Sequence, residues 1–150
     1  MKEIERKFLV KDELLDVVKY LQSKKIRQGY ISDSDGKTVR VRTKGEKGYL
    51  TIKGKSSGIS RDEFEYEIPF EDAGQLLQNF CPKVLEKERF DLIVGEKKWE
   101  IDIFHGKLEG LIIAEVELES EDEPVELPGW ILEEVSNDVQ YYNSRLIEKA

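Results

Sequence analysis

The chain has 150 residues, 39% of them hydrophobic, and its 32 acids against 24 bases leave a net charge of -8. No apolar run reaches membrane-spanning length and the N-terminus lacks a secretory apolar core, so one cytoplasmic domain over 1–150 is expected. The single cysteine, Cys81, excludes an intramolecular disulfide and a thiolate zinc cluster, and the acidic balance argues against broad nucleic-acid binding while leaving room for a small basic pocket.

Alternation of apolar and charged residues begins at 2–10 and returns near 26–32, 37–44, 48–53, 60–68, 84–93, 97–105 and 112–120, which predicts roughly eight strands. Helical spacing interrupts this pattern at 12–22 (Leu14, Leu15, Val18, Leu21), at 71–80 (Ala73, Leu76, Leu77, Phe80) and at 136–148 (Val139, Tyr142, Leu146), the last with Ser136, Asn137 or Asp138 as its cap. Lys44-Gly45-Glu46-Lys47-Gly48 and Val94-Gly95-Glu96-Lys97 read as hairpin loops. Ser32-Asp33-Ser34-Asp35-Gly36 and Gly54-Lys55-Ser56-Ser57-Gly58 read as longer connections, and antiparallel pairing follows. The acidic run from Glu119 to Glu123 reads as a solvated connection.

Side chains two residues apart on a strand share a face. Parity therefore groups Glu3, Glu5 and Lys7; Arg40 and Arg42; Thr51 and Lys53; Arg61, Glu63, Glu65 and Glu67; Lys87 and Arg89; Glu100 and Asp102; and Glu115 and Glu117. For any one strand the simplest reading is a polar face in water. Taken together, some of these faces are wholly basic and others wholly acidic, a division that suits one ligand class. Arginine and lysine bind phosphate oxygens, and carboxylates bind the hard cations that accompany phosphate chains. Parity alone leaves open whether the charged faces point inward. His105, before Gly106, reads as a strand end, and Trp99 and Trp130 read as packing.

Glu3-Ile4-Glu5-Arg6-Lys7 at the start of the first strand resembles the opening signature of the CYTH, or triphosphate tunnel metalloenzyme, superfamily. The resemblance continues in order through Arg40-Val41-Arg42, Thr51-Ile52-Lys53, Glu63-Phe64-Glu65, Lys87-Glu88-Arg89, Glu100-Ile101-Asp102 and Glu115-Val116-Glu117, and ends with Asp138, Tyr141 and Asn143. It implies an α+β fold: an eight-stranded antiparallel closed β-barrel, a tunnel with a charged interior, flanked by about three helices. It further implies that Lys7, Arg40, Arg42, Lys53, Lys87 and Arg89 hold phosphates as the catalytic, substrate-binding set. Glu3, Glu5, Glu63, Glu65, Asp102, Glu115 and Glu117 would then supply ligands to Mg²⁺ or Mn²⁺. Arg61, Glu67 and Glu100 have compatible parity and weaker claims.

The activity implied is metal-dependent hydrolysis of inorganic triphosphate to pyrophosphate and phosphate. Thiamine triphosphate hydrolysis, adenylate cyclisation and non-catalytic polyphosphate or nucleotide binding stand as rivals on the same tunnel. The expected partner is a small-molecule triphosphate or polyphosphate, with no nucleic acid and no membrane; the oligomeric state is open, a homodimer included.

Overall fold

The computed structural model describes residues 2–150. Its strands are β1 (Lys2–Val10), β2 (Ser23–Ser34), β3 (Lys37–Lys44), β4 (Lys47–Lys53), β5 (Ser60–Ile68), β6 (Leu85–Val94), β7 (Lys97–Phe104), β8 (Ile112–Glu117) and β9 (Ile131–Glu134). They form one antiparallel sheet in the order β5-β4-β3-β2-β6-β7-β8-β1-β9. The sheet closes where Lys2, Glu3 and Ile4 of β1 pair with Asp62, Arg61 and Ser60 of β5. The ring of β1 to β8 is the expected barrel, and β9 is an addition that pairs with β1 at Phe8 and Val10. Ile131-Leu132-Glu133-Glu134 has no alternation, so the sequence carried no strand signal there.

The hairpin turns follow the twist rule for two-residue loops. Asp35 and Gly36 both have positive φ, 54 and 76, as a type I′ turn requires, which makes β2 run on to Ser34 where a longer connection was expected. Gly45 and Gly95, at φ 61 and 63, lead the other tight turns.

The middle helix stands as read, α2 (Phe70–Phe80), but the outer two are shorter than the spacing implied. The first stretch is a 3₁₀ turn at Asp12–Leu14 followed by α1 (Leu15–Val18). The last is broken into a 3₁₀ turn at Val139–Tyr141, α3 (Asn143–Leu146) and a second 3₁₀ turn at Ile147–Lys149. Asp138 provides the cap by accepting a hydrogen bond from the Gln140 N–H at 3.1 Å. The polar breaks have a reason: Tyr142 is extended at φ -67, ψ 137, so the chain must change direction before α3 begins.

Apolar residues pack on both sides of the barrel wall. Outside, Phe8, Val18, Leu14, Trp99 and Val116 form the main core, with Trp130 meeting Trp99 edge-on at 5.4 Å. Both tryptophans are packing residues. Helix α2 lays Ala73 and Leu77 over Val41 of β3, so close to β4 that a Cβ on Gly48 would lie 2.7 Å from that of Ala73. The third cluster differs from expectation. Leu85, Phe104 and Ile113 share the inward parity of Lys87, Asp102 and Glu115, yet they are apolar and pack against Leu146 and Ile147. One end of the barrel is therefore filled by the C-terminal helical turns, and only the remainder of the interior is charged.

Candidate active site

Closure turns the parity groups into a shared interior. Cross-strand partners face the same way, so register aligns Lys7 with Glu115 and Glu5 with Glu117, Arg40 with Thr51, Lys53 with Glu63, and Arg89 with Asp102. The cavity has two lobes with common walls at Glu3, Glu5, Arg40, Lys53 and Asn143. The acid-rich lobe adds Arg42, Glu63, Glu65, Arg89, Glu115 and Glu117. The second lobe adds Lys7, Tyr30 and Arg61, together with hydroxyl groups from the C-terminal segment. Every cation and carboxylate named from the resemblance lines this cavity except Lys87 and Asp102.

Those two residues have the same inward parity but are buried away from the cavity surface. Asp102 is 1% exposed, receives both Arg89 Nε at 2.7 Å and Arg89 Nη2 at 2.8 Å, and sits 2.7 Å from Lys87 Nζ. Full burial works against an ionised Asp102, but the charges of Arg89 and Lys87 overcome it and hold the carboxyl far below its usual range. Lys87 is lowered too, to about 8, because burial outweighs the charge of Asp102. The bidentate contact fixes the plane of Arg89, whose Nη1 donates to Glu100 at 3.2 Å.

On the opposite wall, Glu65 accepts from Thr51 at 2.8 Å and from Arg42 at 3.3 Å, and lies 3.6 Å from Arg40. Burial and the neighbouring Arg40 and Arg89 lower Arg42 to about 10, so three guanidinium groups crowd one region that calls for an anion. Lys7 Nζ donates to the Tyr141 carbonyl at 3.0 Å and stands 3.7 Å from Glu115.

The carboxylates crowd as well. Lys53 holds Glu3 at 2.8 Å, and although burial opposes it, Lys53 and a hydrogen bond with Glu63 keep Glu3 low. Its neighbour bears the cost: burial, that shared hydrogen bond and the Glu3 charge raise Glu63 to about 7. Glu5 is raised well above the ordinary value, first by burial and then by Glu115 and Glu3. Glu115 itself is pulled down to about 2 by Lys7 and Arg89 against its burial.

Among the described residues no three acidic, histidine or cysteine side chains are already gathered as a ligand set. The donor chemistry nevertheless fits a hard divalent cation, since Glu3, Glu5 and Glu63 are oxygen donors whose mutual repulsion such an ion would relieve.

Sequence parity did not select Thr38 or Lys44, which line the cavity two residues either side of the Arg40–Arg42 pair, although the same period could have found them. Tyr30 of β2 also lines the second lobe. In the sequence Tyr142 reads as an apolar position of a helix and Asn143 enters only through the resemblance, whereas both reach the cavity with Ser144 where the chain turns into α3. His105 lies outside the cavity, 2.8 Å from Glu88 on the surface.

A closed antiparallel barrel that brings opposed cations and carboxylates into one interior defines a charge-lined tunnel protein. The chain belongs to the family described as CYTH domain, whose model matches residues 1–149. It is similar to the inorganic triphosphatase of Acetivibrio thermocellus, 47% identical over 149 residues that cover 98% of this chain and 94% of that one. The inorganic triphosphatase of Nitrosomonas europaea is 35% identical, covering 97% of both chains. A solved structure of an inorganic triphosphatase matches with a TM-score of 0.66 at 31% identity over 97% of each chain. A Pyrococcus horikoshii protein, at TM-score 0.61 and 21% identity over 80% of each chain, shares the fold. No helix among the described residues is long and apolar enough to cross a membrane.

Proposed function

We propose that this protein hydrolyses inorganic triphosphate to pyrophosphate and phosphate with the help of a divalent cation, Mg²⁺ or Mn²⁺. The observation that carries the reading is the meeting of the Arg40, Arg42 and Arg89 guanidinium groups with the Glu3, Glu5 and Glu63 carboxylates across one cavity. The similarity to two triphosphatases along nearly the whole chain supports it.

Arg40, Arg42, Arg89, Lys53 and Lys7 bind the phosphoryl oxygens and stabilise charge as it spreads in the transition state. Asp102 and Lys87 act through Arg89 by fixing its plane, a positioning role. Glu3, Glu5, Glu63, Glu115 and Glu117 would hold the cation, with Glu65 engaged mainly in orienting Arg40 and Arg42. When bound, the cation neutralises phosphate charge and lowers the pKa of the attacking water. Water forms the new P–O bond at a terminal phosphorus and the bridging P–O bond breaks; the proton lost by the water passes to a product oxygen or to solvent, and pyrophosphate leaves with the arginines holding its charge until release.

Phosphate release from tripolyphosphate, thiamine triphosphate and ATP, each with Mg²⁺, with Mn²⁺ and in excess chelator, tests this reading. Preferred, metal-dependent release from tripolyphosphate is expected. Equal release in chelator, or preference for either organic triphosphate, would overturn it.

A further inference from the structure

The second lobe of the cavity contains a cation that the catalytic scheme does not use. Arg61 stands opposite Glu3 in the β1–β5 register, but Glu3 is committed to Lys53 at 2.8 Å. Among the described residues no carboxylate comes within the 4.0 Å ion-pair limit of the Arg61 guanidinium. Two backbone carbonyls hold it instead: Nε donates to Gly54 O at 3.0 Å and Nη2 to Gly36 O at 3.2 Å. These struts come from the β2–β3 turn and the β4–β5 connection, so the guanidinium is fixed in place with its charge uncompensated. Most other cations of the interior are paired: Lys7 with Glu115, Arg40 and Arg42 with Glu65, and Arg89 with Asp102.

The lobe around Arg61 is also chemically unlike the acid-rich one. Its only carboxylates among the described residues are the shared Glu3 and Glu5; beside the cations Lys7, Arg40 and Lys53 the rest of its polar lining is hydroxyl and amide, with Ser56, Tyr142, Ser144 and Asn143 among it. Neutral donors around a rigid, unneutralised guanidinium make a site for a phosphoryl group without a metal ion. The two lobes meet at Arg40 and Lys53, so a linear chain bound in the acid-rich lobe can continue into the second.

From this geometry we infer that Arg61, with Ser56 and Ser144, forms a subsite for the fourth phosphoryl group of a linear polyphosphate. The subsite extends the triphosphate site proposed above and rests on that reading for its direction. It makes Arg61 a determinant of chain-length preference. A cation that is already held by the backbone pays little ordering cost on binding, so the gain falls on ligands long enough to reach it.

The test is equilibrium binding of tripolyphosphate and tetrapolyphosphate to the full chain, by titration calorimetry up to millimolar ligand in excess chelator. Wild type is expected to bind the longer ligand about tenfold more tightly, the scale of one charge-assisted contact. In Arg61→Gln the ratio should fall to about twofold or less, and Arg61→Lys should recover part of it. A role confined to bracing the two loops would weaken both ligands equally and leave the ratio intact, which would overturn the inference. Absence of any wild-type preference, including no measurable binding of either ligand, would also overturn it. If Arg61→Gln does not fold, the Ser56→Ala/Ser144→Ala double variant carries the test, and an undiminished ratio there counts against the subsite. Tripolyphosphate turnover by wild type is read separately, so loss of the hydrolase reading and loss of the subsite are distinguishable.

Discussion

Glu5 and Glu115, on the paired strands β1 and β8, show how the same side chain is put to opposite use by its neighbours. Glu115 has Lys7 at 3.7 Å, whereas Glu5 makes no ion pair among the described residues and is raised by Glu115 and Glu3 after burial. In the metal-free protein Glu5→Gln is therefore expected to hold or raise the melting temperature while lowering turnover at least about a hundredfold. Glu115→Gln is expected to lower both, because it strands Lys7. Thermal melts in chelator beside phosphate-release assays check the pair, and a destabilised Glu5→Gln would remove the repulsion argument. Asp102→Asn should cost about 3–5 kcal/mol in chemical unfolding, since it breaks a buried ion pair on both sides at once. Parity in the sequence marked all three acids alike. The Val94–Lys97 hairpin already pairs Asp102 with Arg89, but nothing local shows that Asp102 is buried out of the cavity, because that depends on closure of the barrel.

At the scale of elements, the strands were legible because alternation is local, and so was α2, whose apolar stripe faces β3 and β4. The closeness of that contact makes a prediction: Gly48→Ala would place a methyl group 2.7 Å from Ala73 Cβ and 3.0 Å from the Ile68 carbonyl, both firmly held. Overpacking of this kind is expected to cost about 1–3 kcal/mol, measured as a lower denaturation midpoint at unchanged slope. The C-terminal segment was read as one helix because Val139, Tyr142 and Leu146 fall at helical spacing. In the fold, Tyr142 leaves helical geometry so that Leu146 and Ile147 can enter the barrel end against Leu85, Phe104 and Ile113. Leu146→Ala should cost about 2–5 kcal/mol, in line with a buried leucine.

The whole molecule carries opposing pH terms. Glu63, raised to about 7, and Glu5, raised well above 4.5, destabilise the metal-free fold as pH rises through their folded values, because ionisation is easier in the unfolded chain. Glu115, lowered to about 2, contributes stability that is present above its unfolded value of 4.5 and is lost as pH falls toward 2; Asp102 acts in the same sense. In chelator the melting temperature should thus be higher near pH 5 than near pH 8, with a smaller difference in Glu5→Gln. An unchanged pH profile in that variant would show that Glu5 is not the source.

Composition, alternation and turn residues determined by themselves that this chain makes an antiparallel sheet with sharply sorted charges, since each of these signals acts over a few residues. Opposed acids and bases at fixed parity also indicated the ligand chemistry, once the resemblance chose the inward face. Only the tertiary structure decided that the apolar inward positions Leu85, Phe104 and Ile113 are covered by Leu146 and Ile147. It also decided that Lys87 and Asp102 brace Arg89 from outside the cavity, and that Arg61 has backbone carbonyls for partners. Those outcomes depend on barrel closure through just three residues of β1 and on where the C-terminal turns insert. Contacts between residues more than a hundred positions apart, such as Lys7 with Tyr141, leave no periodic trace in the sequence because either partner is chemically satisfied by many alternatives until the sheet closes.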